Sequence, residues 1–240
     1  MSHKKIISAE IANKTTASII CTNSDTQLDQ PLWAINWFDL KRGWLYELYN
    51  RLAFQHVKGV GAYPIFKGQL EKVLLSNERL QRDMLLVVRY PKAQSLLDML
   101  SVKLFQLKSL LRNAAVRHFQ FGFMKQGNQP KEEPPSLKYM GKLKFMVHVC
   151  ENEDHRQIDQ LVAYANSNEV FPYFIGSKSA IMGLQQGKGR IRTIDFILSH
   201  VLIFSAFDDE TLEAFVNSAP YQQLIQKSES SFSGIYRRKI

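Results

Sequence analysis

Five polar or aromatic side chains on predicted core strands are the residues of this chain best suited to chemistry. Asn36 and Trp37 fall on the first predicted strand, Arg89 falls near the end of the third, and His148 and His200 fall on later apolar segments. A polar group left unpaired inside a core costs about 1–3 kcal/mol, so each of these groups needs a partner or a function. We therefore treat the five as candidate ligand-binding residues.

The two histidines are the most reactive members of this set. His148 lies in the apolar run 145–149, which predicts a buried imidazole, and His200 opens another apolar strand. We expect the strands that carry them to be parallel neighbours, as the first and third strands of one unit, which brings the imidazoles close together. Such a pair can bind a ligand, transfer protons or hold a metal. A pair of hydrogen-bonded core histidines is the favoured alternative, because Met84 replaces His200 in an aligned earlier segment.

All three tryptophans lie close together in the sequence. Trp33, Trp37 and Trp44 fall within twelve residues, and aromatic side chains that line a cavity can hold a flat apolar ligand. Core or interface packing uses the same residues, so both interpretations stay open.

No sequence motif identifies a catalytic residue. The segment 186–190 lacks the spacing of a phosphate-binding loop, and neither a Gly-x-Ser-x-Gly nor a His-Glu-x-x-His pattern occurs. Cys21 and Cys150 are isolated, so neither a disulfide framework nor a zinc site is indicated. We therefore expect no metal and no cofactor.

The same features predict a cytoplasmic protein without a membrane partner. The N-terminus lacks a signal-peptide core, and no apolar run approaches the ~18 residues that span a bilayer.

The positive charge is concentrated in one part of the chain. Residues 51–150 carry 17 Lys or Arg against 6 Asp or Glu, whereas the other residues carry 14 against 16. Such a region can attract an acidic partner, although a solvated helix face is the simpler explanation. Nucleic acid is not expected, because the basic helix that ends near Arg117 lacks interleaved aromatic side chains.

The elements that must position these residues occur twice. Residues 84–119 align without a gap with residues 200–235, at an offset of 116. In both halves the apolar pattern predicts the order β-α-β-β-α-β, and a duplicated unit can bury one sheet face against its copy. The resulting domains are an N-terminal arm at 1–30, a first repeat at 31–126, a Pro-rich linker at 127–141 and a second repeat at 142–240.

The periodicity also predicts individual elements. In the first repeat we expect a hairpin of residues 62–75 and 80–90, one continuous helix over 93–115 and a strand over 118–124. In the second repeat we expect strands over 144–150, 174–184, 191–207 and 234–238, with one helix over 209–230.

The sequence around the second helix of each half resembles the dimeric α+β barrel superfamily. The matching segments are Val87-Val88-Arg89-Tyr90-Pro91 with Phe105-Gln106, and Ser218-Ala219-Pro220-Tyr221-Gln222. The resemblance implies an α+β fold of two tandem ferredoxin-like units, packed sheet to sheet as an intramolecular barrel. The superfamily includes cofactor-free monooxygenases, lactone isomerases, haem-binding enzymes and sensing domains, so it selects no activity.

Three functions therefore remain. The leading hypothesis is an α+β barrel protein that binds a small, partly apolar or aromatic molecule between its repeats. The second is a cofactor-independent monooxygenase or isomerase in which Asn36, Trp37, Arg89 and His148 orient and polarise a substrate. The third is a basic interaction module for an acidic partner, and a homodimer also stays open.

Overall fold

The fold is described from a computed structural model of the chain. It describes residues 5–9, 17–21, 30–126, 140–151, 155–179, 181–186, 192–193, 196–228 and 230–240.

The described residues form twelve strands and six helices. The strands are β1 Lys5–Ala9, β2 Ala17–Cys21, β3 Leu32–Leu40, β4 Tyr63–Leu75, β5 Met84–Tyr90, β6 Val116–Gln126, β7 Lys144–Cys150, β8 Phe171–Lys178, β9 Ile181–Gln186, β10 Arg192–Thr193, β11 His200–Ala206 and β12 Ser231–Arg238. The helices are α1 Gly43–Gly59, α2 Ala93–Ser101, α3 Lys103–Ala115, α4 His155–Asn166, α5 Asp209–Val216 and α6 Ala219–Lys227, with one short 3₁₀ turn at Met140–Lys142.

Eight of the described strands close into a barrel. Their order is β11-β7-β12-β4-β5-β3-β6-β8, and every pairing with a resolved register is antiparallel. The protein is therefore an α+β barrel, as the sequence predicted. Among the described residues, no helix is both long and apolar enough to span a membrane.

The chain divides into two compact units. The first comprises Met1–Phe66, Met84–Lys125 and Ser179–Phe196, and the second comprises Lys67–Asp83, Gln126–Lys178 and Ile197–Ile240.

In the first unit, β3 is the central strand of a helix-covered sheet. It pairs with β5 on one side and β6 on the other. Successive side chains point to opposite faces of these strands, so every second residue packs on the helices. The core on this helix-facing side includes Ala34, Phe38, Val88, Leu96 and Phe123. The same unit holds a second sheet in the order β1-β2-β9-β10.

In the second unit, β7 is the central strand. It pairs with β11 and β12, and β11 also pairs with β8. The helix-facing core includes Met146, Leu161, Leu202, Phe215 and Tyr221, all fully or almost fully buried. Asp208 caps α5 by accepting a hydrogen bond from the Thr211 backbone N–H at 2.7 Å.

Both long predicted helices are interrupted, which corrects the sequence expectation. The helix predicted at 93–115 breaks at Val102, whose ψ of 114° is extended, and the helix predicted at 209–230 breaks after Val216. At the first break the Gln106 side chain donates to the Leu100 carbonyl at 3.0 Å, in the last turn of α2. Pro220 lies in the first turn of α6, where its missing N–H costs nothing.

The predicted strands are present, but their predicted ends are less accurate. The first and third strands of each half are neighbours, but they run antiparallel instead of parallel. The strand predicted at 174–184 is divided between β8 and β9, and the one predicted at 191–207 is divided between β10 and β11. Neither β1 nor the pairing of β2 with β9 was expected, because no local pattern reports a partner so far along the chain. Most of the linker predicted at 127–141 lies outside the described residues.

Candidate functional site

Arg89 forms the centre of a cation–aromatic cluster in the first unit. It stands directly opposite Trp33 in the β3–β5 ladder. Its guanidinium carbon lies 5.9 Å from the centroid of the Trp33 ring and 5.7 Å from the centroid of the Tyr63 ring. Both distances fall within the range of cation–π attraction. We call Arg89, Trp33 and Tyr63 the arginine cluster.

The arginine cluster is accessible and lacks an anion. Arg89 and Trp33 are half-buried, and Tyr63 at the start of β4 is 48% exposed. Across the described residues, the guanidinium of Arg89 makes no ion pair and no hydrogen bond. Its N–H donors are therefore available to a ligand, and the two aromatic rings can contact a flat apolar body beside them.

The other two candidates of the first unit are Asn36 and Trp37, which lie close to Trp33 in the sequence. Trp37 follows Trp33 on the same face of β3 and is fully buried. Asn36 lies on the opposite face, which packs on the helices, where its Nδ2 donates a long hydrogen bond of 3.4 Å to the Leu86 carbonyl. Neither side chain joins Arg89.

A polar network surrounds His148 in the second unit. His148 is fully buried on β7, as its apolar segment predicted, and it stands opposite Ser233 on β12. Helix α6 places Tyr221 against the same imidazole. The hydroxyls of Ser233 and Tyr221 each lie 2.8 Å from His148 Nδ1, and they also bond to each other.

Burial keeps the groups of this network neutral. It lowers the pKa of His148 to about 3, with a smaller contribution from nearby His200, and it raises the pKa of Tyr221 above its ordinary value. A neutral imidazole carries one proton on one of its two nitrogens, and the contacts of Nδ1 with the two hydroxyls are compatible with either tautomer. Nε2 is buried without a hydrogen-bond partner among the described residues.

His200 lies on the strand next to His148, as the sequence indicated. It is almost fully buried and stands opposite Cys150 in the β7–β11 ladder. Cys150 is buried and forms no disulfide among the described residues. The part of the chain that the structure describes contains no group of three or more His, Cys, Asp or Glu side chains placed to hold a metal ion.

Asn36, Trp37 and Arg89 belong to the first unit, and His148 and His200 belong to the second. Arg89 has one exposed and one half-buried aromatic neighbour, whereas His148 and His200 are buried. Sequence reasoning missed Tyr63, Tyr221 and Ser233 as partners. Tyr221 was visible in the helix-break segment, but its contact with His148 depends on how α6 packs, which no local pattern reports.

Comparison with known proteins supports the fold. No protein-family model matches the chain, and no curated protein matches it. A candidate monooxygenase from Fusobacterium nucleatum subsp. nucleatum has a similar structure, with a TM-score of 0.51 and 9% identity over 88% of this chain and 94% of that chain.

Two further solved structures are similar over a comparable length. A candidate monooxygenase from Lactobacillus acidophilus gives a TM-score of 0.48, with 10% identity over 87% of this chain and 94% of that one. A mutant chlorite dismutase from Candidatus Nitrospira defluvii gives 0.47, with 12% identity over 86% and 91%. At these identities the likeness concerns the fold alone.

Proposed function

We propose that this protein binds a small, planar, partly apolar molecule that carries an anionic group, and that the arginine cluster holds it. The observation that carries the proposal is the guanidinium of Arg89, which lies near two aromatic rings and has no anion among the described residues. A carboxylate or phenolate accepts charge-assisted hydrogen bonds from such a group, and a guanidinium presents them in a planar fork. The ring of the ligand then lies beside Tyr63 and Trp33.

A fluorescence titration tests this function, with naphthoate as the anionic probe and naphthylmethanol as its neutral counterpart. We expect naphthoate to quench tryptophan fluorescence saturably. Arg89→Met should raise its Kd at least about tenfold, the equivalent of about 1.4 kcal/mol, and should leave the weaker binding of naphthylmethanol nearly unchanged.

A matched control removes another arginine charge of the same unit. Arg51 is exposed on α1, so Arg51→Met should bind naphthoate as the unaltered protein does. Equal Kd values for Arg89→Met and Arg51→Met, or no saturable quenching at all, would exclude the arginine cluster as the site.

The alternative function is a cofactor-independent monooxygenase or isomerase that uses the same cation. Arg89 can stabilise the enolate or phenolate that forms when a substrate loses a proton, because fixed positive charge favours developing negative charge. Oxygen uptake with dihydroxynaphthalene that disappears in Arg89→Met would favour this alternative over simple binding.

We also infer that the halves 31–126 and 142–240 are copies of one ferredoxin-like unit. A contact at the helix break supports this inference, because it occurs in both halves. Gln106 donates to the Leu100 carbonyl at 3.0 Å, and Gln222 donates to the Val216 carbonyl at 2.8 Å.

A shared ladder position supports the same inference. Asn36 stands opposite Leu86 and Phe121, and His148 likewise stands opposite Leu202 and Ser233. This correspondence shifts the sequence alignment at the last strand, where Ser233 matches Phe121 instead of Arg117, its partner at the constant offset.

A further inference from the structure

The two long helices of the first unit expose an unusual number of large apolar side chains. These are Trp44, Leu48, Leu52 and Phe54 on α1, and Leu104, Leu107 and Leu110 on α3. Trp44 is 70% exposed, and Leu107 and Leu110 are 63% and 61% exposed. Single exposed apolar residues are normal, but clustered ones mark an interaction surface. The i, i+4 spacing of Trp44, Leu48 and Leu52 places these three on one stripe of α1. We call all seven side chains the basic apolar face.

The corresponding helices of the second unit provide an internal comparison. The buried positions of α1 repeat in α4: Leu45, Tyr46, Tyr49 and Ala53 have the spacing of Gln157, Ile158, Leu161 and Ala165. Buried Phe105 of α3 likewise corresponds to buried Tyr221 of α6, because the following Gln106 and Gln222 make the same contact.

At most of the exposed apolar positions of the first unit, the second unit carries a polar side chain. The second unit carries Arg156, Gln160 and Asn166 where the first has Trp44, Leu48 and Phe54, and it carries Gln223 and Gln226 where the first has Leu107 and Leu110. The helix layer can therefore be built with a polar surface, and packing within the fold does not require the leucines.

Helices α1 and α3 pack against each other. Lys108 on α3 donates through Nζ to the Leu52 carbonyl at 2.9 Å and lies 3.0 Å from His56 Nε2. His56 in turn packs edge-on against Phe105, with ring centroids 5.9 Å apart. Leu104 lies one turn before Lys108 on α3, on the side of that helix that meets α1.

Positive charge surrounds this surface. The segments 41–59 and 103–117 contain eight basic residues and one acidic residue, Glu47. The basic residues are Lys41, Arg42, Arg51, Lys58, Lys103, Lys108, Arg112 and Arg117. The same face of a second copy would bring like charges together, which disfavours a symmetric dimer through this surface.

We propose that the basic apolar face binds the surface of an anionic lipid bilayer. Leucine, phenylalanine and tryptophan side chains on adjacent helices enter the boundary between headgroups and acyl chains, while flanking Lys and Arg contact anionic headgroups. The expectation of no membrane partner came from the lack of a spanning segment and an export signal, and a surface-bound protein needs neither. This inference is independent of the arginine cluster.

Vesicle flotation of the full chain tests the proposal. We expect flotation with phosphatidylcholine vesicles that contain about one-third phosphatidylglycerol, little flotation with phosphatidylcholine alone, and release as salt rises from about 0.1 M to 0.5 M. The fluorescence of Trp44 should shift to the blue in the anionic vesicles, and Trp44→Phe should remove the shift.

The double variant Leu107→Gln/Leu110→Gln places the residues of the second unit into α3. We expect its partitioning into anionic vesicles to fall at least about tenfold while its thermal midpoint stays unchanged or rises. The matched control Gln223→Ala/Gln226→Ala on α6 should partition as the unaltered protein does. Unchanged partitioning of the double variant would overturn the proposal. So would a dimer, seen by light scattering, that the double variant converts to monomer without loss of lipid binding.

Discussion

At the scale of single residues, His148 is best explained as part of a structural network. Its imidazole is neutral, fully buried and bonded to two hydroxyls on different elements. A group with these properties fixes the packing of α6 on the sheet, and a substrate has no evident route to it. Arg89 is the candidate residue that is partly exposed and stands beside aromatic rings.

Replacement of His148 should therefore reduce stability before it changes ligand binding. We expect His148→Gln to lower the free energy of unfolding by about 1–3 kcal/mol near neutral pH, because Ser233 and Tyr221 lose a shared partner. Urea denaturation measures this loss. Unchanged stability together with weaker naphthoate binding would assign His148 to the ligand site.

The pH dependence of stability has a definite sign. The pKa of His148 is lowered from 6.5 to about 3 in the folded protein, so the unfolded chain binds more protons between those values. Stability contributed by the neutral imidazole is complete above about pH 6.5 and is lost as pH falls toward 3, by about 2 kcal/mol at pH 5. The free energy of unfolding, plotted against pH, should differ in slope between the protein and His148→Gln from about pH 6.5 down to about pH 3. Above about pH 6.5 the two plots should run parallel.

The hydroxyls of the network should be energetically coupled. Tyr221→Phe copies the Phe105 of the first unit, and Ser233→Ala removes the second hydroxyl. Because each change leaves the other group short of a partner, we expect the double variant to be more stable than the sum of the single losses implies, by about 0.5–3 kcal/mol. Additive losses would show that the three groups act separately.

At the scale of elements, two strands depend on glycine for close approach. A Cβ at Gly234 on β12 would lie 2.6 Å from Leu70 Cδ1 and 2.9 Å from the backbone oxygen of Lys72, and a Cβ at Gly122 on β6 would lie 2.1 Å from the ring of Phe196. Since backbone cannot move as freely as a side-chain tip, Gly234→Ala should disrupt the β4–β12 pairing.

We expect Gly234→Ala to cost about 2–3 kcal/mol or more, the range of overpacked cores. Gly59 at the end of α1 has no heavy atom within 4 Å of its added Cβ, so Gly59→Ala should be neutral or slightly stabilising. Calorimetric unfolding of both variants measures the difference, and equal midpoints would contradict the packing described for Gly234.

At the scale of the whole molecule, the sequence predicted the architecture better than the site. The apolar register of the two halves identified the strands near Asn36, Arg89 and His148, because burial on one or two sheet faces leaves a periodic signal. That periodicity did not predict the helix breaks at Val102 and Ser218, since the apolar spacing continues across them. It did not predict the β2–β9 pairing either, because long-range strand pairing has no local signature.

Only part of the candidate site could be predicted from the sequence, again because long-range contacts leave no local pattern. Residue type singled out Arg89 and His148, but their roles depend on what surrounds them. Tyr63 lies beside Arg89 because their strands pair, and Tyr221 contacts His148 because of how α6 packs. His148 is fully buried, whereas Arg89 is only half-buried, and the sequence did not predict this difference.

Native mass spectrometry of the purified protein tests the central claim most directly. We expect a small anionic molecule to be retained by the unaltered protein and by Arg51→Met, and to be absent from Arg89→Met. Retention by Arg89→Met at the level of the unaltered protein would contradict the account. So would the absence of any retained molecule in all three proteins together with a failure of naphthoate to bind.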